Sequence, residues 1–491
     1  MSSTTCDVPA LLDWASKAGI IFSPEVEVRP TVSRGLGVFA NTSLEPGNYL
    51  LRVPAYMLLT PEAAARGPTI GPLQPVRAAI RALVNTGLEL RLTDELALMM
   101  LLLRREHHTL QRDEQGAFWS PYFDCLPQSF DCTLAWSKPE MRELQSSRVG
   151  EWTRRRNATA TATLQRVKQA WDARGASQPP SREEWEWGLC AVWSRSFGVP
   201  TQGGGGKPAP ALAPLTGMFN GAAYPGLIAA NLARLELLKS GHEPDERGYL
   251  EPRELLASLD EAEIESNVQA GFDPATNTFL VQAAAAVPEG KELLLLYGDG
   301  KGAAELSMDY GFAHSVVAGV AMLDATVVLV RTADLLEHWR TASGGTFPHD
   351  AVEAAQARLR EGGVADEHPL SLDMRRAPSW PALLGAARAL CESCDHDGHT
   401  HLLRSFGEAL LREYGTTARD DAHQLSAGVG AEGLPLDGRG RTAIAARLAE
   451  KRVLQHFVRG CGEWEAPPPA GPEPRVGGRD EAPVVQPEDE L

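Results

Sequence analysis

The sequence predicts an α+β protein, with a β-rich core that carries a helical insertion and an all-helical C-terminal domain after it. Three observations lead there. Residues 26–60 alternate apolar and polar side chains between Gly and Pro, the period of short half-buried strands. Residues 75–198 change to helical periodicity. Strand-like sequence then returns at 278–282 and 292–297, ahead of a second helical stretch from about 324 to 461. Regular strand–helix alternation is missing, which argues against a doubly wound parallel sheet.

Taken in order, Val26-Glu27-Val28 and Tyr49-Leu50-Leu51-Arg52-Val53-Pro54 read as strands. In the insertion, Leu92, Leu96, Met99, Met100 and Leu103 mark one helix face, and Trp185, Leu189, Val192 and Trp193 mark another. The apolar run Leu96–Leu103 stops at Arg104 and Arg105, so it reads as a buried helix and not as a membrane span. Gly203–Gly206 reads as a loop. About 50 residues separate Asn220 from the next strand, with charge concentrated around Glu243–Glu265, and this stretch reads as an insertion. The expected divisions are a core domain at 9–323 with its insertion at about 75–198, a helical domain at 324–461, and a disordered acidic, Pro-rich tail at 462–491.

A net charge of −17 without a basic stripe argues against nucleic acid as a partner, because phosphate binding needs clustered Lys and Arg. The acidity suits a basic protein partner and suits simple solubility equally. Seven cysteines over 491 residues do not predict a dense disulfide framework, and a reducing compartment fits. Met1 to Val8 lack the pattern of a signal peptide. Glu488-Asp489-Glu490-Leu491 looks like a retrieval signal but reads as part of the acidic tail. A cytoplasmic monomer with no membrane partner is expected, with nucleus and plastid left open.

The first candidate for chemistry is Ser33-Arg34-Gly35-Leu36-Gly37-Val38-Phe39-Ala40. Two glycines around one residue let a backbone approach a ligand closely, although a GxG between strands also makes an ordinary turn. Arg195 has the chemistry to pair with a carboxylate or to cap a helix in a salt bridge. Asn220 can accept a hydrogen bond from a ligand amine or sit as a turn residue beside Gly221. Tyr297 and Tyr310 suit either a ligand channel or core packing.

Together these segments resemble a SET domain of the Rubisco large-subunit methyltransferase-like branch. Arg34–Ala40 with Leu44-Glu45-Pro46-Gly47 and Val53-Pro54 resembles the domain's opening. Trp119-Ser120-Pro121-Tyr122, Leu126-Pro127, Ala135-Trp136 and Ser194-Arg195-Ser196-Phe197 resemble its helical insert and the return to the core. Pro214–Gly221, Pro288-Glu289-Gly290-Lys291-Glu292, Tyr297-Gly298 and Asp309-Tyr310-Gly311-Phe312 follow in family order. Leu411–Tyr414, Thr416-Thr417, Asp420-Asp421, Arg447–Lys451 and Leu454 resemble the branch's substrate-binding domain.

The resemblance implies S-adenosylmethionine as cofactor, held by Arg34, Gly35, Leu36, Gly37, Arg195, Asn220 and Gly221. It implies Tyr310 as the catalytic group, Tyr297 near the substrate channel, no metal, and a protein-lysine N-methyltransferase activity. Protein-histidine methylation and a catalytically inactive SET scaffold are the alternatives. Lysine has a reference pKa of about 10.4, so a transfer site must favour its neutral form and align it with the methyl group. The sequence departs from the branch's pattern where Gly217 replaces an Asp and Gly221 a His. Gly302-Ala303 replaces a Ser-Asn pair, and Ser315–Ala321 holds no aromatic. A histidine restored at 221 is expected to tighten cofactor binding. Cys391-Glu392-Ser393-Cys394-Asp395-His396, with His399 and His401, contains zinc-ligand residue types, but reads as a solvated loop between helices.

Overall fold

The computed structural model describes residues 6–31, 35–61, 73–109, 118–173, 178–200, 208–222, 266–297, 301–313, 326–342, 349–371, 380–392, 394–430 and 435–461. Arg34, the Gly203–Gly206 loop, the charged Glu243–Glu265 stretch, Ser315–Ala321 and the tail at 462–491 lie outside them.

After helix α1 (Val8–Lys17) come β1 (Ile21–Phe22), β2 (Val26–Pro30), β3 (Leu36–Ala40) and β4 (Tyr49–Pro54). Later in the chain come β5 (Ser196–Val199), β6 (Ala209–Leu212), β7 (Asn220–Gly221), β8 (Val268–Asp273), β9 (Thr278–Ala283) and β10 (Leu294–Leu295). A six-stranded sheet runs β1-β4-β9-β8-β10-β7, and β2-β3 and β5-β6 form two-stranded sheets. Along β9, Phe279, Val281 and Ala283 are buried and alternate with half-buried residues, as the period-two pattern requires. Residues 291–293 couple the small β2-β3 sheet to the large one. Ala40 N–H donates to Lys291 O at 2.9 Å, and Leu293 N–H donates to Val38 O at 2.8 Å. Next door, β10 runs parallel to β7 with Leu294 opposite Asn220 and Leu295 opposite Gly221. The glycine-rich β3 and the Asn-Gly pair, 184 positions apart between Leu36 and Asn220, thereby become neighbours.

The insertion supplies α2 (Leu73–Val84), α3 (Leu92–Thr109), α4 (Ser120–Asp124), α5 (Lys138–Glu143), α6 (Arg148–Ala173) and α7 (Arg182–Arg195). The periodic residues Leu96, Met99, Met100 and Leu103 are buried as expected, but so are Leu98, Leu101 and Leu102, while Leu92 is 44% exposed. A helix apolar all round is a core helix, and a one-face reading understates it. Gly188 of α7 faces the Ala97 carbonyl of α3, where a Cβ would stand 2.9 Å from the oxygen. The helices therefore cross with backbones nearly touching. Ser181 starts α7 with a capping box to Glu184. The helix ends at Arg195 and passes straight into extended Ser196 of β5, which sets Arg195 at the edge of the core.

Beyond α8 (Ala303–Tyr310) lie β11 (Val327–Arg331), α9 (Thr332–Ala342), α10 (His349–Glu361), β12 (Glu367–Ser371), α11 (Trp380–Leu390), α12 (His396–Arg412), α13 (Ala418–Ala427) and α14 (Gly438–Gly460). Alongside the helices expected here stands a short antiparallel β11-β12 ribbon, favoured by the β-branched Val327, Val328 and Val330. The residues that resemble the family's substrate-binding signature form a buried polar network. Arg447 donates to Asp421 at 2.9 and 3.0 Å, to Gln424 at 3.0 Å and to the Glu143 carbonyl of α5. Lys451 reaches Asp421 at 2.5 Å. The signature thus records a seam between insertion and C-terminal helices.

No dense disulfide framework is expected of seven cysteines, yet six of them lie in pairs. Cys6 pairs with Cys125, Cys132 with Cys190 and Cys391 with Cys394, and Cys461 is a buried thiol. Separations of 119 and 58 residues hide the first two pairs from a reading of spacing alone.

Candidate functional site

The β3–β10–β7 junction gathers the first group of expected residues. Gly37 lies where side chains crowd: a Cβ there would stand 2.6 Å from Glu292 Oε1, 2.8 Å from Thr31 Cγ2 and 3.0 Å from Asn220 Nδ2. Only glycine fits without displacing that cluster. Gly35 has φ +76°, the left-handed region glycine enters cheaply. The Asn220 amide nitrogen donates to Leu36 O at 3.1 Å and to Glu292 Oε1 at 2.7 Å. Both partners are acceptors, which fixes the amide orientation and turns the Asn220 side-chain oxygen away as an available acceptor. Sequence reasoning placed Glu292 only in a closing-strand match. Its role in fixing Asn220 appears once β3 and β7 meet.

Gly221 follows on the edge strand. Ala222 N–H donates to Leu295 O at 2.8 Å. In a parallel ladder alternate residues send their N–H and C=O groups to opposite sides. Gly221 on edge strand β7 therefore turns both backbone groups outward, away from β10. Its φ is not positive, so the backbone itself accepts a side chain. Space does not. A Cβ at Gly221 would meet Tyr297 Cδ2 at 3.0 Å, Tyr297 Cε2 at 3.1 Å and Phe312 Cζ at 3.4 Å. The ring contact that a histidine would provide is already supplied by two aromatic neighbours, so the expectation that histidine at 221 tightens binding loses its premise.

The tyrosines come together at the end of α8. Tyr297 and Tyr310 stack with ring centroids 4.8 Å apart and planes 16° from parallel, and Phe312 flanks them at 6.2 and 5.8 Å. Tyr297 is tied down, its hydroxyl donating to Phe219 O at 2.7 Å. The Tyr310 hydroxyl makes no hydrogen bond among the described residues. Burial raises the Tyr310 pKa above the ordinary phenol value, Asp309 adds to this, and Lys301 and Arg195 oppose it. The hydroxyl therefore keeps its proton near neutrality.

The Asp-Tyr-Gly-Phe motif explains how Tyr310 is held. Buried Asp309 bonds Arg156 of α6 and Lys301, both at 2.6 Å. Burial alone would raise its carboxyl pKa, but the two cations outweigh that and hold it low. Lys301 Nζ stands 5.3 Å from the Tyr310 ring centroid. Gly311 turns the chain at φ +79°, and a Cβ there would fall 2.3 Å from Asp131 O. Thr442 of α14 donates to Gly311 O at 3.2 Å, so the C-terminal helix braces the same turn. Lys301 and Arg156 carry no local motif, and their roles emerge only from the fold.

Arg195 stands on Phe130, its guanidinium carbon 4.7 Å from the ring centroid, and donates to Ser194 Oγ at 2.8 Å. It has no carboxylate partner among the described residues. Burial lowers its pKa, opposed by the hydroxyls of Tyr297, Tyr122 and Tyr310, which places those groups within electrostatic reach. Burial pushes the Tyr122 phenol up to about 12 against the pull of Arg195. A Cβ at Gly217 would lie 3.2 Å from Arg195 Nε. The aspartate that Gly217 replaces would therefore sit beside the guanidinium. Its absence leaves a half-buried cation without a counter-charge.

The loop from Cys391 to His401 shows no metal-ligand grouping among the described residues. Asp395 caps α12 by accepting from Gly398 N–H at 2.8 Å, and the His399 ring bonds Cys391 O at 2.8 Å.

No family model matches the chain. Among solved structures, it is similar to the SET domain of LSMT bound to lysine and AdoHcy, with a TM-score of 0.62 and 18% identity over 93% of this chain and 91% of that one. It is also similar to Rubisco LSMT bound to AdoMet, with a TM-score of 0.61 and 18% identity over 94% and 92% of the two chains. The fold is therefore that of a SET-domain protein with the layout of Rubisco LSMT, as the sequence motifs implied. In sequence, the chain is similar to actin-histidine N-methyltransferase of Canis lupus familiaris, 26% identical over 218 residues, and of Rhinolophus ferrumequinum, 27% identical over 221. Each match covers 43% of this chain and 34% of the relative, so the chain spans about a third of the length of these relatives.

Proposed function

We propose that this protein transfers the methyl group of S-adenosylmethionine to a side-chain nitrogen of another protein, with lysine as the target. The supporting observation is Arg195, a half-buried guanidinium without a carboxylate partner among the described residues, set among Tyr122, Tyr297 and Tyr310. Such a cation suits the carboxylate of an amino-acid cofactor. The Asn220 side-chain oxygen, freed by Leu36 and Glu292, suits that cofactor's amino group. Gly37 leaves the room in which Glu292 orients Asn220, and the outward N–H and C=O of Gly221 suit the cofactor's adenine edge. The cofactor supplies an electrophilic sulfonium methyl.

The chain's own residues would do the rest. Tyr310 would orient the attacking nitrogen with the hydroxyl it keeps protonated. The Tyr297 ring, anchored through Phe219, would wall the channel and hold the approach in line. The apolar walls formed by the Tyr297, Tyr310 and Phe312 rings would disfavour an ammonium there and so promote the neutral amine. Histidine is the second reading, favoured by the similarity to actin-histidine N-methyltransferases. An imidazole, with a reference pKa of about 6.5, is already neutral there.

Calorimetry with S-adenosylhomocysteine tests the cofactor assignment. Binding that weakens more than tenfold in Arg195→Met supports it. Absence of binding to folded wild-type protein at millimolar ligand would instead leave a SET scaffold that binds a protein partner.

A further inference from the structure

The methyl-transfer reading makes no use of Cys391 and Cys394, whose sulfurs are bonded across three positions of sequence. The other two pairs close loops of 119 and 58 positions and so constrain the unfolded chain strongly, as structural disulfides do. A ring closed over three positions restricts the unfolded chain little, so chain constraint gives weak reason for this bond.

The surroundings suit exchange better than cross-linking. Both cysteines are half-exposed, unlike the buried Cys132 and Cys190. Cys391 follows the last turn of α11, and Cys394 immediately precedes Asp395, the N-cap of the 17-residue helix α12. Cys394 Sγ lies against the first turn of α12, 3.4 Å from where a Cβ on Gly398 would stand. Asp395 already takes the Gly398 N–H at 2.8 Å, so the helix end lends a Cys394 thiolate little support, and exchange rests on the exposure and closeness of the two sulfurs. The loop backbone is held independently of the S–S bond. Cys394 N–H donates to Cys391 O at 3.2 Å, the His399 ring bonds the same oxygen at 2.8 Å, and Arg358 of α10 donates to Ala389 O at 2.7 Å. The two sulfurs would therefore stay close when reduced.

We propose that Cys391 and Cys394 form a redox-active dithiol–disulfide site that exchanges with glutathione-type thiols. In the oxidative direction the Cys394 thiolate attacks one sulfur of glutathione disulfide and expels glutathione thiolate, giving a mixed disulfide. Cys391 then loses its proton, attacks Cys394 Sγ and expels the second glutathione thiolate. The protein gives up two electrons and two protons, which leave on two molecules of reduced glutathione. Reduction runs the same steps backwards. The site joins α11 to α12, both of which build the core of the C-terminal helices through Leu390, Leu403 and Phe406.

The test equilibrates the full chain in buffers of stepped reduced-to-oxidised glutathione ratio, quenches with acid, alkylates free thiols and weighs the peptide holding both cysteines. The expected result is interconversion between fully reduced and fully oxidised peptide as a two-electron titration, with the fold intact by circular dichroism. In Cys391→Ser the mixed disulfide on Cys394 should persist, because the resolving thiol is gone. A pair that stays oxidised in millimolar reduced glutathione, or stays reduced in glutathione disulfide, would overturn the proposal. So would a Cys391→Ser protein that never accumulates the mixed disulfide.

Discussion

Glu450 gives the protein a pH-dependent weakness that can be measured. It lies fully buried on α14, facing the start of α6. Its Oε2 accepts the Tyr414 hydroxyl at 2.7 Å and Arg148 N–H at 3.2 Å, while Oε1 is buried with no hydrogen-bond partner. Arg148 does not neutralise it, because that guanidinium is bound to Glu151 at 2.8 Å. Burial pushes the Glu450 carboxyl up to about 7, opposed by hydrogen bonds from Tyr414, Ser147 and the backbone of Arg148 and Val149. Below the unfolded-state value near 4.5 both states hold the proton, and the group contributes nothing to pH dependence. As pH rises from there to 7 the unfolded chain loses its proton while the folded chain keeps it, so stability falls. Above 7 the loss is complete, and at about 1.36 kcal/mol per pK unit it amounts to roughly 3 kcal/mol. Glu450→Gln removes the titrating group. Urea denaturation of wild type and variant from pH 4.5 to 8 should show the variant gaining roughly 3 kcal/mol relative to wild type over that range. Stability curves that run parallel across the range would refute the assignment.

Three further outcomes follow from the site and the seam. Tyr310→Phe removes a hydroxyl that bonds nothing among the described residues, so the melting temperature should hold while turnover falls about 10²–10⁴-fold; equal turnover would remove Tyr310 from the chemistry. Gly221→His must displace the Tyr297 ring from a 3.0 Å approach and should destabilise by about 1–3 kcal/mol without tightening S-adenosylhomocysteine binding; a tighter complex by calorimetry would contradict the packing described. Asp421→Asn strips the buried counter-charge shared by Lys451 and Arg447, leaving Arg447 only the Glu143 carboxylate at 3.3 Å, and should cost about 3–5 kcal/mol in chemical denaturation; a loss below 1 kcal/mol would show that the network is not buried in solution.

Much of this was legible in the sequence because it depends on local pattern. The period-two runs became β2, β4 and β9, and the Asp-Tyr-Gly-Phe motif marked a turn that only glycine makes beside Asp131. What stayed hidden depends on contact between distant segments. Glu292 fixes Asn220 across 72 positions, and Arg156 holds Asp309 across 153. The departure at Gly221 looked like an empty place because sequence shows the missing histidine and not the Tyr297 and Phe312 rings that occupy its room. Gly217 likewise reads as a lost aspartate until Arg195 is seen beside it, uncompensated. The disulfide pairs escaped for the same reason, apart from Cys391 and Cys394, whose closeness in sequence drew attention to zinc chemistry instead.

Methyl transfer to a protein is tested most directly by incubating the full chain with methyl-tritiated S-adenosylmethionine and a cell lysate, then locating the label by mass spectrometry. The expected result is label on one nitrogen of a protein side chain, lysine by the reading favoured above, formed together with S-adenosylhomocysteine and lost in Tyr310→Phe. Wild-type protein that binds the cofactor yet labels nothing, or label that persists undiminished in Tyr310→Phe, would contradict it.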